Sequence, residues 1–120
     1  ARHAATRQRR ADEVERRRQE EDRARRAALA RASDPAVKQE TRKRSSMADV
    51  FERNLRSAGI AAIVRAQGRE NRTLYVRWDG CNEVQLDMFM DDREQVAGLR
   101  RVGFTRLDCD NGYQVWHQPL

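Results

Sequence analysis

Few residues in this chain have the chemistry of a reactive site, and their spacing narrows what that chemistry is. There are two histidines, His3 and His117, and two cysteines, Cys81 and Cys109. Cys109 and His117 are the one pair that could act as nucleophile and base. Pairing their strands about Asn111–Gly112 sets them in different rows. The chain has no Gly-x-Ser-x-Gly elbow, no phosphate-cradling glycine loop and no His-Glu-x-x-His helix. No catalytic residue is assigned, and the protein is not read as an enzyme. Two cysteines are too few for a disulfide framework or a zinc site. They are read as buried free thiols, with a single disulfide as the alternative for an exported protein.

The carboxylates of Asp87, Asp91, Asp92 and Glu94 are the right type for a hard cation. Charge complementarity at a helix N-terminus accounts for Asp91, Asp92 and Glu94 more simply. Asp110 and Asn111 are read as turn residues. No metal or cofactor is expected.

The strongest polar signal is basic. Residues 1–46 carry 15 Lys/Arg against 8 Asp/Glu, a net +7, whereas residues 47–120 carry 10 against 11, a net −1. Arg9, Arg10, Arg16, Arg17, Arg18, Arg25 and Arg26, with the triplet Arg42–Lys43–Arg44, form a candidate site for the phosphates of nucleic acid or of an anionic lipid surface. Against this, acidic residues are interleaved throughout. No aromatic residue stands among the arginines to stack on bases. Arg also outnumbers Lys 23 to 2 over the whole chain, which looks like a compositional habit.

The apolar residues divide the chain at the same place. Every Phe, Trp, Tyr, Ile and Met, and every Leu except Leu29, follows residue 46. A core can form only there, so residues 1–46 are expected to be a charged helical extension and 47–120 a small α+β domain. Residues 2–32 contain no Gly or Pro and place acids four positions ahead of arginines, as in Glu13–Arg17 and Asp22–Arg26. They predict a solvated helix without a coiled-coil seam. Asp34 and Pro35 suit an N-cap and first helical residue. The second helix is expected to break at Ser45–Ser46, where Ser46 and Asp49 have capping-box spacing. Met47, Val50, Phe51, Leu55 and Ala58 then recur on one helical face, closed by Gly59.

Ile60–Ala66 and Thr73–Trp78 read as strands joined by a polar loop. Val84, Leu86, Met88 and Met90 alternate and are read as a third short strand, with a helix start as the alternative. Asp91 and Asp92, ahead of Glu94 and Gln95, open a helix that Gly103 ends. Phe104–Cys109 and Tyr113–His117 form a hairpin with Asn111–Gly112 at its tip. That register opposes Leu107 to Trp116 and Cys109 to Gln114, with Asp108 opposite Val115 on the other side of the sheet. The order α-β-β-(β)-α-β-β predicts a two-layer α+β sandwich, with helices on one face of a small, mostly antiparallel sheet.

The segments Phe51–Leu55, Ala58–Gly59–Ile60, Thr73–Trp78, Leu99–Phe104 and Asp110–Tyr113 with Trp116 resemble a family of small bacterial proteins of uncharacterised function. Many members carry an N-terminal membrane anchor ahead of a polar linker. The resemblance covers about residues 47–120 and implies a bacterial source and an anchored or exported domain. It supplies no catalytic residues. The element order is also similar, at the level of fold alone, to the BON domains of bacterial envelope proteins. No run of about 18 apolar residues is present to span a bilayer. The chain begins at Ala1 rather than Met, which fits a processed or cut product. Anchorage or export then goes with a removed upstream segment, and a cytoplasmic location with its absence. The function expected is a non-catalytic protein-binding or scaffold module with an unidentified protein partner. Polyanion binding through the arginine-rich helix is the alternative.

Overall fold

A computed structural model describes residues 2–120. The first element is helix α1 (Arg2–Ser33). Helix α2 (Pro35–Ser57) follows, then strand β1 (Ile63–Gln67), a single 3-10 turn (Arg69–Asn71) and β2 (Thr73–Arg77). Helices α3 (Glu83–Asp91) and α4 (Arg93–Val102) lead to β3 (Arg106–Asp110) and β4 (Val115–Pro119). The contacts divide the chain into two units, one ending at Asp34 and the other spanning Pro35–Leu120. The division therefore falls ahead of the expected boundary at residue 46. The reason is that α2 runs unbroken through Ser45–Ser46 and already buries Arg44 in the second unit.

In the first unit, every described α1 side chain is exposed except the partly buried Ala28. At 1.5 Å per residue the helix is about 48 Å long. Local pairs support it: Gln8 Nε2 donates to Asp12 Oδ1 at 2.9 Å, and Arg17 pairs with Glu13 at 3.0 Å. Such exposed pairs contribute only a few tenths of a kcal/mol each.

The second unit is α+β, with its four strands in the order β1-β2-β3-β4. The β1–β2 and β3–β4 pairs are antiparallel, and β2–β3 is parallel because α3 and α4 form the crossover between them. The pleat puts Val64, Leu74, Val76, Leu107 and Cys109 on one face, where they join Ala48 of α2, Leu86 of α3 and Leu99 of α4 in the core. Helices cover that face only. The other face carries Arg65, Tyr75, Arg77, Arg106, Asp108 and His117.

Two sequence expectations are corrected here. Residues 84–90 lie in α3 and are not a strand. Asn82 caps that helix, its Oδ1 accepting from Gln85 N at 2.8 Å. Of the alternating set only Leu86 is buried, while Val84 and Met88 are 65% and 61% exposed. The hairpin register is also shifted by two, since Cys109 opposes Trp116, Asp108 opposes His117 and Leu107 opposes Gln118. Its tip is Gly112–Tyr113, because Asn111 Oδ1 accepts from both Tyr113 N and Gln114 N, at 2.9 and 2.8 Å. The positive φ is carried by Gly112, at 90°.

Helix α4 has the termini its sequence requires. Asp92 Oδ1 accepts from Gln95 N at 3.2 Å, and Gly103 adopts a left-handed φ of 102°. A Cβ at Gly103 would lie 2.5 Å from Arg44 Nη1, so glycine is also needed there for close approach. Along the outer border of β1, Val64 N donates to Glu52 Oε1 at 2.9 Å. Arg65 Nη1 donates to Val64 O at 3.1 Å and pairs with Glu52 at 3.5 Å. No helix among the described residues is long and apolar enough to cross a membrane.

Candidate binding cleft

On the helical side of the sheet the second unit leaves a cavity of about 260 Å³ between α2, α3 and the strands. Phe51 and Leu55, four residues apart on one face of α2, form one wall. Leu86, Met88 and Phe89 of α3 form the other, and Val76, Leu107 and Cys109 form the floor. Trp78 closes one end by lying over Gly80, where any Cβ would run into its indole ring. The Phe51 and Phe89 rings meet edge-on with centroids 6.0 Å apart. Gln85, Asp92 and Gln95 are the polar part of the lining. An apolar cleft with a few polar groups at its rim is the usual form of a binding site.

A disulfide holds α3 to this floor. Cys81, in the turn before α3, is bonded to Cys109 on β3, with Cα atoms 5.6 Å apart. The reading of two free thiols is therefore corrected. The pleat turns Cys109 inward, and the Trp78–Cys81 turn, closed by Cys81 N donating to Trp78 O at 3.0 Å, brings Cys81 above it. Asn111 Nδ2 donates to Cys81 O at 3.2 Å and ties the same turn to the hairpin.

The carboxylates of Asp87, Asp91, Asp92 and Glu94 do not converge on one point. Asp92 caps α4, Glu94 lies in the first turn of α4, and Asp87 and Asp91 are on the exposed side of α3. No three His, Cys, Asp or Glu side chains converge to hold a metal ion among the described residues.

The opposite face of the sheet carries a polar row that the sequence reading missed: Arg65, Tyr75, Asp108 and His117 on successive strands. Asp108 is 7% exposed and meets His117 Nδ1 at 2.7 Å, while Arg106 Nε lies 2.9 Å from the same Oδ1. His117 is thus oriented with Nε2 directed away from the carboxylate. Beside this row the Tyr75 hydroxyl donates to Asp110 Oδ2 at 2.6 Å. That bond lowers the Asp110 pKa below the ordinary carboxyl value, with help from Gly112 N, and raises that of Tyr75, with burial adding to the effect. Cys109 faces the other way and its sulfur is bonded, so Cys109 and His117 are not a nucleophile–base pair. The signal that could have found the Asp108–His117 pair is the hairpin register; a tip at Gly112–Tyr113 opposes these two residues.

The basic residues do not form one site. Arg9, Arg10, Arg16, Arg17, Arg18, Arg25 and Arg26 are all exposed on α1. Successive residues are turned by about 100°, so Arg16, Arg17 and Arg18 alone cover more than half the circumference. Arg42 and Lys43 are exposed on α2, and Lys43 pairs with Glu40 at 3.2 Å. Arg44 must be withdrawn from the set. It is 2% exposed, donates from Nε to Glu70 O and from Nη1 to Val102 O, both at 2.9 Å, and so joins α2 to the 3-10 turn and to the C-terminal end of α4. The chain matches no protein-family model, no curated protein and no solved structure.

Proposed function

We propose that Pro35–Leu120 is a non-catalytic protein-binding module that receives apolar side chains of a protein partner between α2 and α3, with α1 acting as a spacer. The observation that carries this reading is the cleft, walled by Phe51, Leu55, Met88 and Phe89 and extended outward by the exposed Val84 and Met88. Covering those two exposed side chains would contribute roughly 1–2 kcal/mol each. Methionine and aromatic walls adapt to differently shaped guests.

Peptides selected from a displayed library on the folded protein test the proposal. Titrated into isotope-labelled protein, they should shift the amide resonances of Leu55, Met88 and Phe89, and Met88→Asp should abolish binding. Shifts confined to the Tyr75 and His117 face would refute it.

Polyanion binding through α1 is the second reading, favoured by the exposure of every described arginine on that helix. It expects salt-sensitive binding to nucleic acid or anionic vesicles that is lost when residues 1–33 are removed. Absence of such binding by the intact chain at low salt would end it.

A further inference from the structure

We infer that the segment this cleft takes is a basic amphipathic helix of another protein, its apolar side on Val84, Met88 and Phe89 and its cationic flanks on the carboxylates of α3. The inference rests on the reading of the cleft as a docking site and adds the chemistry of its occupant.

Charge is the first ground. Asp79, Glu83, Asp87, Asp91, Asp92 and Glu94 fall within sixteen residues that contain one cation, Arg93, in a chain whose net charge is +6. All six are exposed. None takes part in an ion pair among the described residues. On α3 the i,i+4 pair Val84–Met88 runs beside the i,i+4 pair Asp87–Asp91, so an apolar ridge and an acidic ridge adjoin at the mouth of the cleft. This surface attracts a basic partner and repels nucleic acid and anionic lipid.

Backbone chemistry is the second ground. The floor is the face of β2 and β3, the two central strands, whose backbone groups are engaged on both sides by neighbouring strands. An extended peptide lying there would find no ladder to join. A helix satisfies its own backbone groups and needs only side-chain contacts, which is how amphipathic helices occupy apolar grooves.

The test uses the full chain and two synthetic helical peptides with identical leucines, one carrying lysines and the other glutamates at the remaining positions. Binding is read by fluorescence anisotropy, and the location by amide shifts of Met88 and Phe89. The lysine peptide should bind at the cleft about tenfold or more tightly than the glutamate peptide at low salt. The preference should disappear in the triple variant Asp87→Asn, Asp91→Asn, Asp92→Asn, where Asn at 92 keeps the cap of α4. Equal binding of both peptides at the cleft, or a preference that survives the triple variant, would overturn the inference and leave the docking reading standing. If neither peptide perturbs Phe89, the docking reading falls and takes the inference with it. Cleft shifts that appear on raising the concentration of the protein alone would make a second copy the occupant and would also overturn it.

Discussion

Removing the Cys81–Cys109 bond should strongly destabilise the second unit. The bond spans 28 residues of sequence, enclosing α3, α4 and the start of β3. Holding a loop of that length closed in the unfolded chain is worth about 3.6 kcal/mol at 25 °C on the chain-entropy model. A unit the size of Pro35–Leu120 is stable by about 5–10 kcal/mol in total, so a third or more of its stability is at stake. The Tm should fall by about 15–25 °C. Both cysteines are buried, at 1% and 8% exposure, so Cys81→Ala with Cys109→Ala keeps the site apolar. The assay is thermal and urea unfolding followed by circular dichroism and tryptophan emission, on the double variant and on the wild-type chain with and without a thiol reductant. Reduced wild type and the double variant should agree to within about 1 kcal/mol, and both should lie well below the oxidised form. Amide exchange should accelerate more in α3 than in β1, because Cys81 sits at the entrance to α3. A double variant that loses less than about 1 kcal/mol would refute the argument that this bond limits the unfolded chain.

Arg44→Ala should cost about 3 kcal/mol in urea unfolding, because it removes a buried side chain and leaves the part-buried carbonyls of Glu70 and Val102 without their donor. Arg44→Lys should recover little of this, since one ammonium cannot reproduce the guanidinium fork. Tyr75→Phe should move the titration of Asp110, followed by carboxyl NMR, up toward the ordinary value of 3.8. In the intact protein Asp110 stabilises the fold above that value, and its contribution is lost as pH falls through its lower folded-state pKa. Tyr75 contributes below 10.0 and loses its contribution as pH rises through its raised folded-state pKa. Deleting residues 1–33 should leave the unfolding free energy of the remainder within about 0.5 kcal/mol of that in the full chain, because α1 exposes nearly every side chain.

What the sequence made legible was the part governed by local periodicity. Met47, Phe51 and Leu55 recur at helical spacing and all pack against the core. Leu74 and Val76 are buried and alternate with the less buried Thr73, Tyr75 and Arg77, as a half-buried strand should. The Asp34–Pro35 and Asp92–Gly103 signals fall where helices begin and end. The misreadings come from residues whose role depends on partners distant in sequence. Nothing local distinguishes Arg44 from Arg42, yet Arg44 alone turns toward carbonyls 26 and 58 residues away. Val84–Met90 alternates by accident of composition, and the Asn82 cap with the inward pair Leu86 and Phe89 decides for helix. The hairpin slipped by two positions, which leaves each side chain on its expected face because the strand period is also two. Leu107 and Cys109 were therefore placed on the correct side although each was matched with the wrong residue across the hairpin. The cleft was not legible, since its walls come from α2, β2, α3 and β3 and no single segment carries its pattern.

The side chains of Glu52 and Arg65 occupy both outward backbone groups of Val64, so the middle of one border of the sheet is blocked. The other border is β4, where Pro119 lacks an N–H but Val115 and His117 do not. Stacking of copies into a fibre needs two receptive borders, one to join the growing end and one to extend it. A molecule that joins at β4 presents its β1 border to the next, where Glu52 and Arg65 would first have to leave Val64, so this carboxylate–guanidinium pair works against edge-to-edge growth.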